Sequence, residues 1–504
     1  MKTNTLGRTT KFFRYFLLSI AILFIVIYLI LAFFRIQYAF ELEWMEGGLV
    51  DHVIRILSGQ KLYVPPSLEF VPFIYTPLYF YLSAALSKII GIGFLPLRLV
   101  SFISSLGCFF IIFLMVKGET GSNFSGILAS SLFAATFRIS GAWFDIARAD
   151  SLFLFFLLAG LYLIKFRERA KPYILAGALF SLSFLTKQIA LLISLPIMVY
   201  CVLLNLRRSI YFIGTVVMIV GVSTYLLNYI HDGWYNYYVF DLPRHHSIAK
   251  SMFLNFWTKD IIAPLSIAWI MSIFYLFIQL LNSNRKNFLF YFLMVICMLG
   301  GSWLSRLHPG GYLNVLFPAY AALSILFGLT THKAFELIVA ASANKRKLME
   351  ICLYLVCIIQ FSILTYNPLV QIPTKKDLEA GRAFISAMAQ LPGNILVASH
   401  GYLPSLAGKR CYAHQMAITD VMRGKDCPTK TELMDEIGQA IREKRFSAII
   451  VDAAIFGSSW FLEPIETHYT RQRGVFESRE VFWSVTGLRT RPQVIYVPKR
   501  NDTD

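Results

Sequence analysis

The chain has 504 residues, of which 57% are hydrophobic and 15% charged, and its mean hydropathy is +0.59. This composition excludes an ordinary soluble globular protein, because several apolar runs reach the roughly 20 residues that a membrane-crossing helix needs. The formal net charge of +18 does not indicate nucleic-acid binding, since basic residues flank membrane spans on their cytoplasmic side.

Twelve apolar runs occupy the first 366 residues, which we interpret as one transmembrane module. They are 16–39, 71–92, 96–116, 125–139, 150–166, 173–186, 188–205, 210–230, 261–281, 288–304, 311–331 and 349–366. No small-residue cleavage site follows the first run, so we expect a retained span rather than a cleaved signal peptide.

Clusters of basic residues decide which runs cross the membrane, because all of them should be cytoplasmic. They lie in the N-terminal segment and near 165–171, 207–208, 285–286 and 333–347. All of these clusters fall on the cytoplasmic side only if the run 71–92, which Pro72 and Pro77 interrupt, does not cross the membrane. We therefore predict eleven spans, a cytoplasmic N-terminus, an extracytoplasmic C-terminus, and an external loop over about 40–95 whose helices lie along the membrane surface. A twelve-span alternative would put the N-terminus outside or the basic loops on the wrong side.

The last segment, 367–504, has a soluble character and predicts a small extracytoplasmic α/β domain. Helical patterns over 375–390 and 430–445 alternate with apolar strand patterns. We expect the strands at 394–399, 446–452 and 494–497. The segment has no glycine-rich phosphate loop, so we do not expect it to bind a nucleotide.

Carboxylates just after the first span are the leading candidates for chemistry. Glu43 and Glu46 are three residues apart, so a helical turn would place both on one face, where either would serve as a base toward an acceptor hydroxyl. The glycines after Glu46 permit close approach of a ligand to the backbone. The alternative is that these acids cap a surface helix, a role that fits Glu41 and Asp51 better.

A second acidic group stands where the run 150–166 begins. Asp145, Arg148 and Asp150 fall at a span boundary, where ionisable residues are functional candidates. Asp150 and Arg148 are the stronger candidates. The alternative is a local Asp–Arg pair that closes a helix end.

Lys187, Arg306 and His308 lie at the same membrane face in the predicted topology. Converging cations suit a phosphate group, because arginine forms forked hydrogen bonds and lysine acts as a point charge. Snorkelling of each side chain to the interface is the alternative.

Four further residues are candidates for substrate contact. Tyr63 and Tyr75 belong to a proline-rich aromatic segment that would stack a sugar, line a lipid tail or simply anchor the interface. Tyr312 and Asn314 begin a later span and are candidates for sugar binding.

Metal-ligand spacing is not apparent. The loop 231–260 contains His231, His245 and His246, but they match no strong ligand pattern. Cys411 and Cys427 lie in the polar C-terminal segment and would be able to pair outside the cytoplasm, which sequence alone leaves open.

The order of these motifs resembles the polytopic glycosyltransferases called GT-C. The motifs are the acid pair, Ile56-Leu-Ser-Gly-Gln-Lys-Leu-Tyr63, Tyr75-Thr-Pro-Leu-Tyr79 and Phe184-Leu-Thr-Lys-Gln188. Together they are similar to the protein mannosyltransferase and aminoarabinose transferase group, which is glycosyltransferase family 39-like, over roughly 17–330. The resemblance implies a mainly α-helical membrane fold with about eleven transmembrane helices and juxtamembrane helices in the first external loop.

It also implies an activity. The expected enzyme is a hexosyl- or pentosyltransferase of the cell (inner) membrane that works in cell-envelope glycan biosynthesis. It would move a sugar from a polyprenyl-phosphate donor to an extracytoplasmic hydroxyl of a glycan, lipid or protein, with inversion at the anomeric carbon. No cofactor is assigned, although some members of the superfamily use a divalent metal.

The resemblance assigns roles to individual residues. Glu46 or Glu43 matches the acidic base of the first loop, but two residues separate them where the family often has adjacent Asp-Glu, so the choice stays open. Asp150 or Asp145 matches the supporting acid of the second loop. The residues carried over to the donor phosphate are Lys187 and Arg306.

Two other classes of function compete with glycosyl transfer. A transporter or flippase of a lipid-linked saccharide would also need spans, external carboxylates and phosphate-binding cations. Such proteins usually contain inverted repeats and charges at the bilayer midplane, and the sequence has no evident repeat. A non-catalytic assembly protein is the third class.

Overall fold

The computed structural model describes residues 2–281, 285–339, 341–452 and 459–500. Helices dominate its first part. They are α1 (Lys2–Ile36), α2 (Glu46–Leu57), α3 (Leu78–Ile90), α4 (Phe94–Thr120), α5 (Asn123–Ala135), α6 (Asp150–Phe166), α7 (Ala170–Thr186), α8 (Ile189–Leu204), α9 (Leu206–Ile230), α10 (Trp234–Asn236), α11 (Leu242–Arg244), α12 (Met252–Asn255), α13 (Ala263–Leu281), α14 (Arg285–Leu307), α15 (Phe317–Val339) and α16 (Ala343–Ile363). Two π-helical segments, Tyr237–Asp241 and Phe256–Ile262, and a 3-10 turn at Leu313–Leu316 lie between them.

A helix occupies each of the eleven predicted spans, namely α1, α4 to α9 and α13 to α16. Within the described ranges, six helical segments are long and apolar enough to cross a membrane. A seventh qualifies if α16 and Pro368–Gln390, bent by 46°, form one span. Helices α5 to α8 have only 13 to 17 residues, fewer than the roughly 20 of a full crossing. That they cross, and which end faces the cytoplasm, stay predictions.

Helix α15 forms the centre of the bundle, and the apolar window of its span is 94% buried. It packs against α5, α13 and α14. Small residues allow the helices to pack this closely, since a Cβ added at Gly328 would lie 2.7 Å from the carbonyl oxygen of Ser125. Helix α9, with only 11% of its window buried, lies at the outside, where its apolar side chains suit lipid contact.

The run 71–92, which we predicted not to cross, contains the short helix α3, and α2 precedes it in the same loop. Helix α2 is amphipathic and buries one face, which includes Leu49, Val50 and Val53. The chain between α2 and α3 is irregular and carries the prolines that break the helical pattern.

The C-terminal part contains the predicted α/β elements. They are α17 (Lys375–Gln390), β1 (Ile395–Val397), α18 (Leu403–Leu406), α19 (Gln415–Arg423), α20 (Pro428–Arg442), β2 (Ala448–Val451), α21 (Ser459–His468), β3 (Tyr469–Gly474) and β4 (Val494–Pro498). The sheet order is β1-β2-β4-β3, with β1 and β2 parallel and the other pairs antiparallel. The three predicted strands are confirmed. The prediction missed β3, whose sequence Tyr-Thr-Arg-Gln-Arg-Gly has no apolar run.

The C-terminal part packs directly on the first loop. One hydrophobic cluster contains Leu49 and Val53 of α2 together with Leu396 of β1 and Ile418 of α19. The backbones touch as well, because a Cβ at Gly47 would lie 1.9 Å from the carbonyl oxygen of Gly401. The glycine after Glu46 therefore admits another stretch of this chain, where the sequence had suggested a ligand.

Candidate active site

Glu46, the first residue of α2, has a fully engaged carboxylate. Arg98 donates through Nε to Oε1 at 2.9 Å and through Nη2 to Oε2 at 2.6 Å. The N–H groups of Ala147 and Leu42 donate at 2.7 and 2.6 Å. Burial would raise the pKa of Glu46, but Arg98 and these donors lower it below its usual value. Four donors fill the acceptor positions of one carboxylate, so Glu46 joins α2 to α4 and to the loop before α6.

Glu43 has far weaker partners. Its Oε2 accepts from the N–H of Met45 at 3.3 Å and lies 3.6 Å from Nη1 of Arg148. Burial raises the pKa of Glu43 to about 7, and the charge of Arg148 opposes that rise. Exposed Gly487 covers the side chain of Glu43, since a Cβ added at Gly487 would lie 3.0 Å from Cγ of Glu43. Glu43 is thus a buried and weakly paired carboxylate whose pKa is raised toward neutral pH.

Asp145 belongs to a buried structural pair. Nε of Arg35, at the end of α1, donates to its Oδ2 at 2.8 Å, and both side chains are fully buried. The other guanidinium nitrogens of Arg35 donate to the carbonyl oxygens of Ala142 and Gln371 and to the hydroxyl of Thr486. This network joins α1 to the C-terminal part of the chain. Asp145 is the carboxylate that binds Arg35 within this network.

Asp150 begins α6 and connects two other predicted residues. Its Oδ1 lies 2.5 Å from Nζ of Lys187 and accepts from Nδ2 of Asn314 at 2.9 Å. Lys187 lies in the break between α7 and α8, and Asn314 in the turn before α15. Three predicted site residues that are distant in sequence therefore meet.

Lys187 and Asn314 border a cavity of about 510 Å³. Its apolar wall comes from several elements and includes Ile74, Leu191, Leu192, Phe240, Leu304 and Val315. Its polar groups include Tyr75, Lys187, Gln188, His308, Asn314 and Asp420. Among the described residues that line it, Lys187 is the one cation. A cavity with a mainly apolar wall and one lining cation suits an amphiphile with an anionic group.

Asp420, which no sequence motif singles out, reaches this cavity from α19. Its side chain is nearly buried, and its Oδ1 lies 3.4 Å from Nη1 of Arg423. Burial raises the pKa of Asp420 to about 7, against the opposing charges of Arg423 and Arg148. The C-terminal part of the chain thus contributes an acid to the cavity, and Arg423 brings a second cation close to it.

A chain of hydrogen bonds fixes the two histidines at the cavity wall. The N–H of Gly310 donates to Nδ1 of His308 at 3.0 Å, so Nε2 of neutral His308 carries the proton. That Nε2 lies 2.6 Å from Nδ1 of His246, whose Nε2 lies 2.8 Å from the carbonyl oxygen of Asp420. Burial and the nearby cations lower the pKa of His308 to about 4. His308 is therefore a neutral hydrogen-bonding residue at pH 7 and not the cation that the sequence suggested.

Arg306 does not line the cavity. Its Nε donates to Oδ2 of Asp260 at 2.8 Å and its Nη1 to the carbonyl oxygen of Gly311 at 2.5 Å. Tyr63 is buried, and its hydroxyl donates to the carbonyl oxygen of Tyr75 at 2.7 Å. Tyr312 is 40% exposed and lies 6.4 Å, ring to ring, from Trp143, outside the cavity wall.

Tyr75 stands between the cavity and Glu43. It lines the cavity, and its hydroxyl accepts from Nη2 of Arg148 at 3.0 Å. Burial, together with the charges of Asp150, Asp420 and Glu43, raises the pKa of Tyr75 to about 12, although Arg148 opposes the rise. Arg148 itself lies over the rings of Tyr75 and Trp143. Arg148 and Tyr75 thus connect Glu43 to the cavity.

A buried acid–histidine–acid group joins the first loop to the sheet. Nδ1 of His400 contacts Oε2 of Glu41, and its Nε2 lies 2.9 Å from Oδ2 of Asp452. The sequence favoured a capping role for Glu41 and indicated no role for His400. No local spacing signals this group, because its members are about 359 and 52 residues apart along the chain.

The described part of the chain holds no group of three or more His, Cys, Asp or Glu side chains arranged for a metal ion. His231 bonds the carbonyl oxygen of Leu227 instead. Cys411 and Cys427 are both free thiols, and Sγ of Cys411 lies 3.1 Å from Oγ of Ser405.

Comparison with known proteins supports the resemblance read from the motifs. The family model for dolichyl-phosphate-mannose-protein mannosyltransferase matches residues 74–227. No curated protein sequence matches the chain.

Similar folds occur among solved structures. One is ArnT from Cupriavidus metallidurans bound to undecaprenyl phosphate, with a TM-score of 0.58 and 12% identity over 94% of this chain and 97% of that one. Another is the Archaeoglobus fulgidus oligosaccharyltransferase in complex with Zn and sulfate, with a TM-score of 0.51 and 12% identity over 89% of this chain and 72% of that one. The chain is accordingly an integral membrane protein with the GT-C glycosyltransferase fold, and its residues 74–227 match the dolichyl-phosphate-mannose-protein mannosyltransferase family.

Proposed function

We propose that this protein transfers a sugar from a polyprenyl-phosphate donor to an acceptor hydroxyl on the extracytoplasmic side of the cell membrane. The observation that carries the proposal is the cavity in which Lys187 faces an otherwise mainly apolar wall. A polyprenyl phosphate has the matching chemistry, since its chain is apolar and its phosphate anionic. The likeness to ArnT, whose structure contains undecaprenyl phosphate, supports the same class of donor.

The donor phosphate would bind to Lys187, with Arg423 as the second cation near it. Lys187 is paired with Asp150 at 2.5 Å, which holds the ammonium in position but leaves its remaining donors for a ligand. Arg423 approaches from the C-terminal part, since a Cβ at cavity-lining Gly310 would lie 3.6 Å from its Nη1. Arg306, which the resemblance implied, is already bound to Asp260 and Gly311.

We assign the base to Glu43. Its pKa of about 7 suits a group that accepts a proton at neutral pH, whereas Glu46 is filled by four donors. The acceptor would reach Glu43 from the side covered by Gly487, while the donor occupies the cavity beyond Tyr75. The sugar of the donor would extend from the cavity past Tyr75, so that its anomeric carbon meets the acceptor hydroxyl beside Glu43.

The proposed reaction is a single displacement. The acceptor hydroxyl gives its proton to Glu43 while its oxygen forms a bond to the anomeric carbon. The bond from that carbon to the phosphate oxygen breaks, and the electron pair leaves with polyprenyl phosphate. Because the leaving group is a phosphate ester held by cations, no strong general acid is required. Attack opposite the leaving group inverts the anomeric configuration.

The test is sugar transfer by the purified protein, with a panel of radiolabelled polyprenyl-phosphate sugars as donors and membrane extract as acceptor. We expect label in the acceptor and one polyprenyl phosphate released per transfer. Glu43→Gln should lower the rate at least about 100-fold, whereas Glu463→Gln, which removes an exposed carboxylate, should not. Donor binding without turnover, unaffected by Glu43→Gln, would instead favour transport.

A further inference from the structure

A second cavity, of about 630 Å³, lies at the other end of the bundle. It is formed by the beginning of α1 and by the beginning of α16. Helix α1 has 35 residues, which corresponds to roughly 50 Å, and Arg35 near its far end contacts Asp145. The second cavity is therefore separated from the candidate active site by about the thickness of a membrane.

The second cavity is strongly basic. Five cationic side chains line it, with a single carboxylate, Glu350. They are Arg8, Lys11, Arg14, Arg346 and Lys347. The carboxylate is already occupied, because Nε of Arg346 lies 2.9 Å from Oε1 of Glu350. The cavity thus collects positive charge that Glu350 only partly balances.

Some cations at other helix ends of the predicted cytoplasmic side have a carboxylate partner: Lys165 with Glu119 at 2.9 Å, Arg208 with Glu168 at 3.1 Å, and Lys333 with Glu336 at 2.7 Å. Others, such as Lys171 and Arg207, are exposed and line no cavity. For Arg8, Lys11 and Arg14, the described ranges of the chain supply no carboxylate within ion-pair distance. These cations instead surround a space large enough for a ligand.

The surface beside the second cavity is apolar. Phe12, Tyr15 and Phe16 of α1 are 62%, 64% and 45% exposed. They neighbour Lys11 and Arg14 on the same two turns, so a cationic cavity adjoins an aromatic surface that suits lipid. A ligand that satisfies both would carry an anionic group and apolar chains.

We propose that this cavity binds the phosphodiester headgroup of an anionic membrane phospholipid, whose acyl chains lie along Phe12 and Phe16. Lysine and arginine are the residues that bind phosphate oxygens, and basic pockets between membrane helices suit such headgroups. The proposal does not depend on the sugar transfer proposed above.

The test is native mass spectrometry of the full-length protein after removal of its lipid and titration with phosphatidylglycerol or phosphatidylcholine. We expect phosphatidylglycerol to bind in preference to phosphatidylcholine. Lys11→Gln combined with Arg14→Gln should weaken it at least fivefold, since each cation near an anionic lipid contributes about that factor. The matched control is Lys345→Gln with Arg207→Gln, which removes two exposed cations that do not line the cavity.

Thermal unfolding of both double variants should match that of the original protein, which separates lost binding from lost folding. An equal loss of lipid in the control would overturn the proposal, because it would reveal a general effect of net charge. Equal binding of the two lipids, or displacement of phosphatidylglycerol by millimolar inorganic phosphate, would also overturn it.

Discussion

Arg98 binds both carboxylate oxygens of Glu46, through Nε at 2.9 Å and Nη2 at 2.6 Å, with both side chains at 0% exposure. The remaining Nη1 of Arg98 donates to the carbonyl oxygens of Arg35 and Tyr38. This pair therefore fixes the path of the chain from α1 into the first loop. Glu43, only three residues away, has no arginine bound to both carboxylate oxygens among the described residues. The two neighbouring acids therefore have different environments.

Glu46→Gln should destabilise the fold. It leaves the buried charge of Arg98 without its counterion, which costs about 3–5 kcal/mol. Unfolding of the purified protein in detergent would measure the loss. Glu43→Gln removes only weak contacts and should leave stability nearly unchanged while it abolishes transfer. The reverse pattern, with Glu46→Gln stable but inactive and Glu43→Gln active, would move the base to Glu46.

Transfer should depend on pH through Glu43. Because its pKa is raised to about 7 and the base must be ionised, kcat/KM should rise with pH and level off above about 7. Arg148 holds this pKa down, so Arg148→Gln should shift the inflection to higher pH. Asp420→Asn should keep the inflection near 7, although Asp420 has a similar pKa. If Asp420→Asn abolished the inflection instead, Asp420 would be the titrating group.

The sequence predicted the positions of the helices well, but it did not predict which charged side chains pair with each other. Apolar length is a local signal, which is why a helix stands at each of the eleven expected places. That α3 does not cross the membrane stays a prediction. The partner of Glu46 is Arg98, 52 residues later inside an apolar run, and no periodicity points to it. The prediction named Arg306 and did not single out Arg423, because only the folded chain shows that α19 reaches the cavity.

The donor phosphate is proposed to bind to Lys187 and Arg423. Lys187→Gln should raise KM for the donor by roughly tenfold or more, since it removes a charge-assisted contact, and Arg423→Gln should act in the same direction. Arg306→Gln is the matched comparison, because this arginine lies close by but is tied to Asp260. Steady-state kinetics at varied donor concentration would give KM for each of the three variants. A larger rise in KM for Arg306→Gln than for Lys187→Gln, at equal thermal stability, would restore the family-based assignment.

The contact between His400 and the two acids Glu41 and Asp452 should make stability depend on pH. Burial would lower the pKa of His400, but the two carboxylates raise it to about 10. A folded-state pKa above the unfolded value of about 6.5 means that the contribution is complete below pH 6.5 and is lost as pH rises toward 10. The difference in melting temperature between the original protein and His400→Gln should therefore shrink from pH 6.5 to pH 9.5. His245→Gln, at an exposed histidine, is the control and should show no such trend. A difference that stays constant or grows with pH would mean that His400 is neutral in the fold, held by hydrogen bonds alone.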